Sequence, residues 1–219
     1  MKPDHRNKQR DHAPHQTEKT ELREVPEGSH WIDFATKEHK NLVHYELNMY
    51  GNHDQAWQEV VVKGNNNIFS YRKDDFWSIH ILPRDCKDRF KKLMGNPGLK
   101  HFGLFLGLFK GDQFNLSIEG ADAIARSGIQ LRNWIKTTDA GERSFLYGND
   151  LKGEDIASVH KGGIAHDRGI CLVLNEGDEC IGLGKLQARD PTLSSCSDKE
   201  VVIRNIIDKG IYLRNQDKI

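Results

Sequence analysis

From Trp134 to Gln187 the apolar residues come in short segments, each closed by a glycine-bearing turn. Ile156–Val159, Ile170–Leu174 and Ile181–Leu186 are separated by Gly-Gly, Asp-Arg-Gly and Asn-Glu-Gly-Asp. Segments this short suit strands rather than helices, which need roughly 10–12 residues of helical periodicity. Trp134-Ile135-Lys136-Thr137-Thr138 alternates and predicts another strand. One helix is expected after it. Asp139 is placed as its cap and Glu142 in its first turn, near the positive end of the helix dipole. Phe145 and Leu146 are its apolar anchors, and Gly148 or Asn149 its left-handed stop. Short strands around a single helix predict a small β-barrel.

Gly182 and Gly184 fall on one face of their strand, where a neighbouring backbone comes close, and Ile181, Leu183 and Lys185 fall on the other. With Asn175–Asp178 as the turn, Leu174 pairs with Glu179 and Val173 with Cys180. Cys171 then lies diagonal to Cys180, about 7–8 Å away, which is beyond disulfide reach. Cys86 and Cys196 are remote in sequence and there is no Cys-x-x-Cys, so four reduced thiols are expected and no metal.

The first half is built differently. Residues 1–30 are almost wholly polar and predict a disordered tail, with His5, His12 and His15 as solvated histidines. From Trp31 the apolar content rises. Ile68–Tyr71 and Phe76–Ile81 read as two strands of a hairpin around Arg72-Lys73-Asp74-Asp75. After Pro83, Cys86, Phe90, Leu93 and Met94 recur at helical spacing and predict an apolar stripe. Arg84 to Lys110 is the most basic window, with seven cations against Asp85 and Asp88. It reads either as a solvated face or as a phosphate-contacting surface. Gly103, Gly107 and Gly111 lack the Lys-Ser/Thr ending of a phosphate loop and read as strand. Phe114–Ile118 is expected as a strand and Asp122–Arg126 as a short helix, with a boundary near Ile129.

Lys+Arg and Asp+Glu are both 32, so any anion-binding surface has to be a local patch. The charged start resembles no secretory signal, and the longest apolar run, Phe102–Phe109, is short of the about 20 residues a membrane span needs. A soluble intracellular chain is expected. Ser144, Ser194, Ser195 and Cys196 sit in no nucleophile motif, and His160 and His166 flank Lys161-Gly162-Gly163 as surface histidines. No catalytic residue, cofactor or metal is assigned, and a non-enzymatic protein is expected.

Ser144-Phe145-Leu146-Tyr147-Gly148-Asn149, Ile181-Gly182-Leu183-Gly184 and Asp208-Lys209-Gly210-Ile211-Tyr212-Leu213-Arg214 resemble, in that order, the Nip seven family of large-subunit ribosome-biogenesis factors. The resemblance runs from Gly103 to Arg214. It implies an α+β fold, with an N-terminal domain on a mostly antiparallel sheet over 31–129 and a PUA-like mixed β pseudo-barrel over 130–219. It further implies binding of precursor ribosomal RNA alongside ribosome-assembly proteins, in the cytoplasm or, in a eukaryote, the nucleolus. The expected RNA contacts are Arg143, Lys152 and Arg214 on the barrel's binding face, with Lys185 and Arg189 added after the Gly-Leu-Gly step. Tyr147 is placed either against a base or in the core. A protein–protein adaptor, or an accessory PUA protein of an RNA-modifying enzyme, is the alternative. Residues 141–219 hold 11 Lys+Arg against 13 Asp+Glu, so RNA affinity there depends on clustering of the cations.

Overall fold

The computed structural model describes residues 31–73, 76–93, 99 and 102–214. The expected tail at 1–30 and Met94 of the apolar stripe lie outside these residues. A five-stranded antiparallel sheet comes first, ordered β1-β2-β3-β4-β5: Trp31–Phe34, Asn66–Lys73, Phe76–Pro83, Leu104–Lys110 and Gln113–Leu116. The Ile68 and Phe76 runs pair as expected, with Ile68 opposite Ile81 and Lys73 opposite Phe76. Because strand side chains alternate, this sheet has two covered faces. On one, Ile68, Ile79, Ile81 and Phe109 meet α1 (Lys37–Asn48), α2 (Gln55–Trp57) with the π-helical turn Gln58–Lys63, and α4 (Ile118–Ala125). On the other, Phe69 and Tyr71 pack with Phe90 of α3 (Lys87–Lys91), which follows a tight turn at Arg84–Cys86. The predicted stripe is cut short here: Phe90 is buried, but Leu93 is 47% exposed. Five helical residues have room for one anchor.

A second, six-stranded sheet is ordered β7-β11-β10-β9-β6-β8. Its strands are β6 (Trp134–Thr137), β7 (Leu151–Lys152), β8 (Ile156–Val159), β9 (Ile170–Leu174), β10 (Cys180–Leu186) and β11 (Val201–Asp208). All pairs are antiparallel except β6 with β9, so this is the mixed, nearly closed pseudo-barrel expected. α5 (Asp139–Leu146) sits at its core with Phe145 fully buried among Ile135, Val173, Ile181 and Ile203, worth about 3 kcal/mol for that side chain alone. Its cap is Thr138 rather than Asp139: the Thr138 hydroxyl accepts from the Gly141 N–H at 3.1 Å, and Asp139 is the first helical residue. A final short helix, α6 (Ile211–Arg214), takes up the Gly-Ile-Tyr-Leu-Arg run.

The β9–β10 register also differs from expectation. Asn175 N–H reaches the Glu179 carbonyl, so the loop holds one residue more, and Cys180 stands opposite Leu174. A bulge between Cys180 and Gly182 then sets Gly184 opposite Cys171. All four cysteines are unpaired. Gly182 has the close backbone neighbour predicted, since a Cβ would strike the Ile207 carbonyl, whereas at Gly184 the close neighbour is the Ile203 side chain rather than backbone.

The two sheets share one core. Leu172, Leu174, Cys180 and Leu183 of the barrel lie in the same buried cluster as Val43, Leu47, Leu106 and Ile124. The seam is also polar. Glu46 of α1, only 3% exposed, accepts from Tyr50 Oη at 3.2 Å, from His166 Nε2 at 3.3 Å and from the Arg168 guanidinium. Arg168 also donates to Asn115 Oδ1 at 2.9 Å and the Phe114 carbonyl at 3.1 Å. His166 is therefore a buried seam residue and not the surface histidine expected, because it pairs with a carboxylate 120 residues away that no local pattern announces. Asn133 adds a staple, its amide reaching the Met49 carbonyl while its oxygen takes the Ala165 N–H at 2.6 Å.

Candidate nucleic-acid interface

Where α5 ends, the chain turns at Gly148 (φ +90°) and leaves Tyr147 75% exposed. α6 comes back against this end, with Leu213 70% exposed. Between them lies a groove of about 360 Å³ lined by Arg143, Leu146, Tyr147, Lys209, Leu213 and Arg214. Tyr147 therefore faces solvent and not the core. Gly210 makes the close approach possible, since a Cβ there would collide with the Leu146 carbonyl.

The groove is braced from below. Arg214 clasps Asp208, itself 2% exposed, through two hydrogen bonds of 2.9 and 2.8 Å and also caps the Leu146 carbonyl. The Asp208 carboxylate raises the Arg214 pKa further. Asn205 Nδ2 donates to the Phe145 carbonyl (2.9 Å) and to Asp208 (3.2 Å). Lys209 reaches across to Asp122 of α4 at 2.6 Å, and Tyr212 donates to Glu119. Burial, with that carboxylate beside it, pushes the Tyr212 phenol up to about 12. α6 is thus tied to both halves of the molecule.

Of the expected contacts, Arg143 and Arg214 come together at this groove, and they differ in state. Arg143 is exposed with no carboxylate partner among the described residues, whereas Arg214 is neutralised by Asp208. Lys152 lies on the edge strand β7, 4.0 Å from Glu154. Lys185 and Arg189 are exposed on and after β10, away from the groove lining. Lys185 stands directly opposite Arg204 of β11, also exposed, so two cations meet across a strand pair. Such like-charge pairs are unfavourable on their own and are relieved by an anion. Beside Arg189, hydrogen bonds from Thr192, Ser194 and Ser195 hold the Asp190 carboxyl well below the usual carboxylate range. Lys209, Leu213 and Arg204 were missed from the sequence. A lone charge within Val201–Ile207 was a readable signal for Arg204; the others needed the fold of α6 against α5.

The barrel that carries this groove resembles known proteins in sequence and in fold. Residues 133–217 match the family profile of the UPF0113 PUA domain. A UPF0113 protein of Archaeoglobus fulgidus is 31% identical over 106 residues, 48% of this chain and 58% of that protein. The chain thus spans a little over half the length of that relative. A conserved PUA domain protein from Thermoplasma acidophilum superposes with a TM-score of 0.53 at 14% identity, covering 82% of this chain and 94% of the other. A hypothetical protein from the archaeon Pyrococcus horikoshii gives 0.55 at 11% identity over 81% and 93%. These two likenesses establish the fold. The matched span, 133–217, includes the whole groove and the Lys185–Arg204 pair.

Proposed function

We propose that this protein binds precursor ribosomal RNA of the large subunit through its PUA domain, as a non-catalytic assembly factor alongside other ribosome-assembly proteins. The observation that carries the reading is the groove between α5 and α6, where exposed Tyr147 and Leu213 stand beside the unpaired cation Arg143 on a UPF0113 PUA domain. An exposed aromatic offers a stacking platform for an unpaired base, and the cations offer contacts to the backbone. The ribosomal assignment rests on the Ser-Phe-Leu-Tyr-Gly-Asn, Gly-Leu-Gly and Gly-Ile-Tyr-Leu-Arg resemblance. Cytoplasm, or nucleolus in a eukaryote, is the matching compartment.

With three to four phosphates neutralised, log K should fall against log salt at a slope of roughly −2 to −3 on single-stranded fragments of ribosomal RNA. Tyr147→Ala should weaken binding by about 1–3 kcal/mol, the usual worth of one stacked base. Lys185→Glu with Arg189→Glu should weaken it across sequences without changing preference. Fluorescence anisotropy over a salt series measures all three. An intact protein with no salt-dependent binding would falsify the reading.

One observation favours a second reading. The groove's lining is largely apolar, with Leu146, Tyr147 and Leu213 exposed or half-exposed together. A protein–protein adaptor fits that chemistry. Capture of assembly proteins from RNase-treated extract, lost in Leu213→Glu, with no RNA affinity in the purified protein, would select it.

A further inference from the structure

The most basic stretch of the chain takes no part in the PUA domain. Arg84–Lys92 carries Arg84, Lys87, Arg89, Lys91 and Lys92 against Asp85 and Asp88. Phe90 roots the segment in the first sheet, packed on Phe69 and on Phe102 with ring centres 4.7 Å apart in each case. With that side fixed inward, Arg84, Arg89, Lys91 and Lys92 are exposed. Lys87 and Lys91 are one helical turn apart, a spacing at which like charges repel. Both stand over the Phe34 ring, at 5.1 and 6.0 Å, and the negative face of the ring offsets part of the repulsion.

Among the described residues, none of these five cations has a carboxylate within ion-pair distance. The barrel is mixed: among the described residues Lys136, Lys152, Arg168, Lys209 and Arg214 are paired, whereas Arg143, Lys185 and Arg204 are not. The segment lies over the β1–β2 side of the sheet, on the face away from α1. The PUA domain meets the sheet's other side, through α4, β5 and α1. At about 4.8 Å per strand, roughly 19 Å of sheet separates β1 from β5.

We propose that Arg84–Lys92 is a second RNA contact, holding the backbone of a strand whose other part occupies the PUA domain. This rests on the RNA-binding reading above. Phe34 is covered by its lysines, leaving backbone phosphate as the group recognised, so the contact is independent of base sequence. Two sites held on one rigid body raise affinity only for a ligand long enough to reach both.

The test uses the full chain with single-stranded oligonucleotides of about 8 and about 30 nucleotides, the shorter matching one module's site size. Arg84→Gln, Arg89→Gln and Lys92→Gln together should weaken the long RNA about tenfold near 0.1 M salt and make its slope shallower by about 2. The short RNA should be unaffected. Asp85→Asn with Asp88→Asn should act in the opposite direction on the long RNA, so a misfolded triple variant does not decide the matter. Equal affinity and slope for parent and both variants on the long RNA would overturn this contact while leaving the PUA reading standing. Unchanged RNA binding with lost binding to phosphatidylserine vesicles would overturn it in favour of a membrane surface. Loss confined to Tyr147→Ala and the Lys185 and Arg189 changes would show that the PUA domain acts alone.

Discussion

Burial pushes the Cys171 thiol up to about 12 and the Cys180 thiol up to about 11, although neither is bonded to another sulfur. At pH 8 the thiolate that attacks an alkylating agent is then about a thousandth or less of either. Cys86 and Cys196 are half-buried. Iodoacetamide on the native protein should therefore label Cys86 and Cys196, and reach Cys171 and Cys180 only in denaturant. Peptide mass mapping after a timed pulse reads the order. Early labelling of Cys171 would mean that the β9–β10 hairpin opens far more readily than its packing implies. The same lesson applies to cations: Arg143 and Arg214 line one groove, but Asp208 commits Arg214 to holding the fold.

Among the elements, the seam between α1 and the loop before β9 has the largest electrostatic stake. Removing Arg168 leaves the Glu46 carboxylate buried, with only Tyr50 and His166 to serve it. Arg168→Met should cost about 3–5 kcal/mol. For a chain of this size that lowers Tm by roughly 6–20 °C. Glu46→Gln placed on Arg168→Met should recover part of the loss, and thermal unfolding of the four proteins of the cycle measures the coupling. Strict additivity would mean the two do not act together. The strands of both sheets were largely legible, because alternation and glycine turns are local signals: Ile68–Tyr71, Phe76–Ile81, Trp134–Thr137 and Ile170–Leu174 needed nothing from afar. Phe145 was readable as the barrel's anchor for the same reason. Leu42–Leu47 lies within α1, with Thr36 accepting the His39 N–H as the helix cap. The seam was not legible, because Glu46 and Arg168 are 122 residues apart and each alone looks like surface charge. At the groove, Tyr147 and Arg143 were visible from one helix, whereas Leu213 acquired its place only once Gly210 had folded α6 onto α5.

For the molecule as a whole, the expected division near Ile129 falls within continuous packing: Ile129 and Leu131 both lie against the shared core. Urea should unfold the intact chain in one transition, with the same midpoint by tryptophan fluorescence and by far-ultraviolet circular dichroism. Residues 130–219 expressed alone would expose Leu172, Leu174, Cys180 and Leu183, and should show neither a cooperative transition nor dispersed amide resonances. A fragment that melts as sharply as the parent would mean that these four leucine and cysteine contacts contribute little to the barrel. No helix among the described residues is long and apolar enough to cross a membrane.

That shared core also sets an order of events during synthesis. α4 ends at Ala125, but the fully buried barrel residues that share its core end at Leu183, about 60 residues later. At 5–20 residues per second the first sheet waits roughly 3–12 s with that side bare. Chaperone capture and mispairing with another nascent chain compete during this interval. A pause in translation between codons 125 and 183 would lengthen it, so synonymous codon choice over that window bears on the yield of folded protein even though no residue changes.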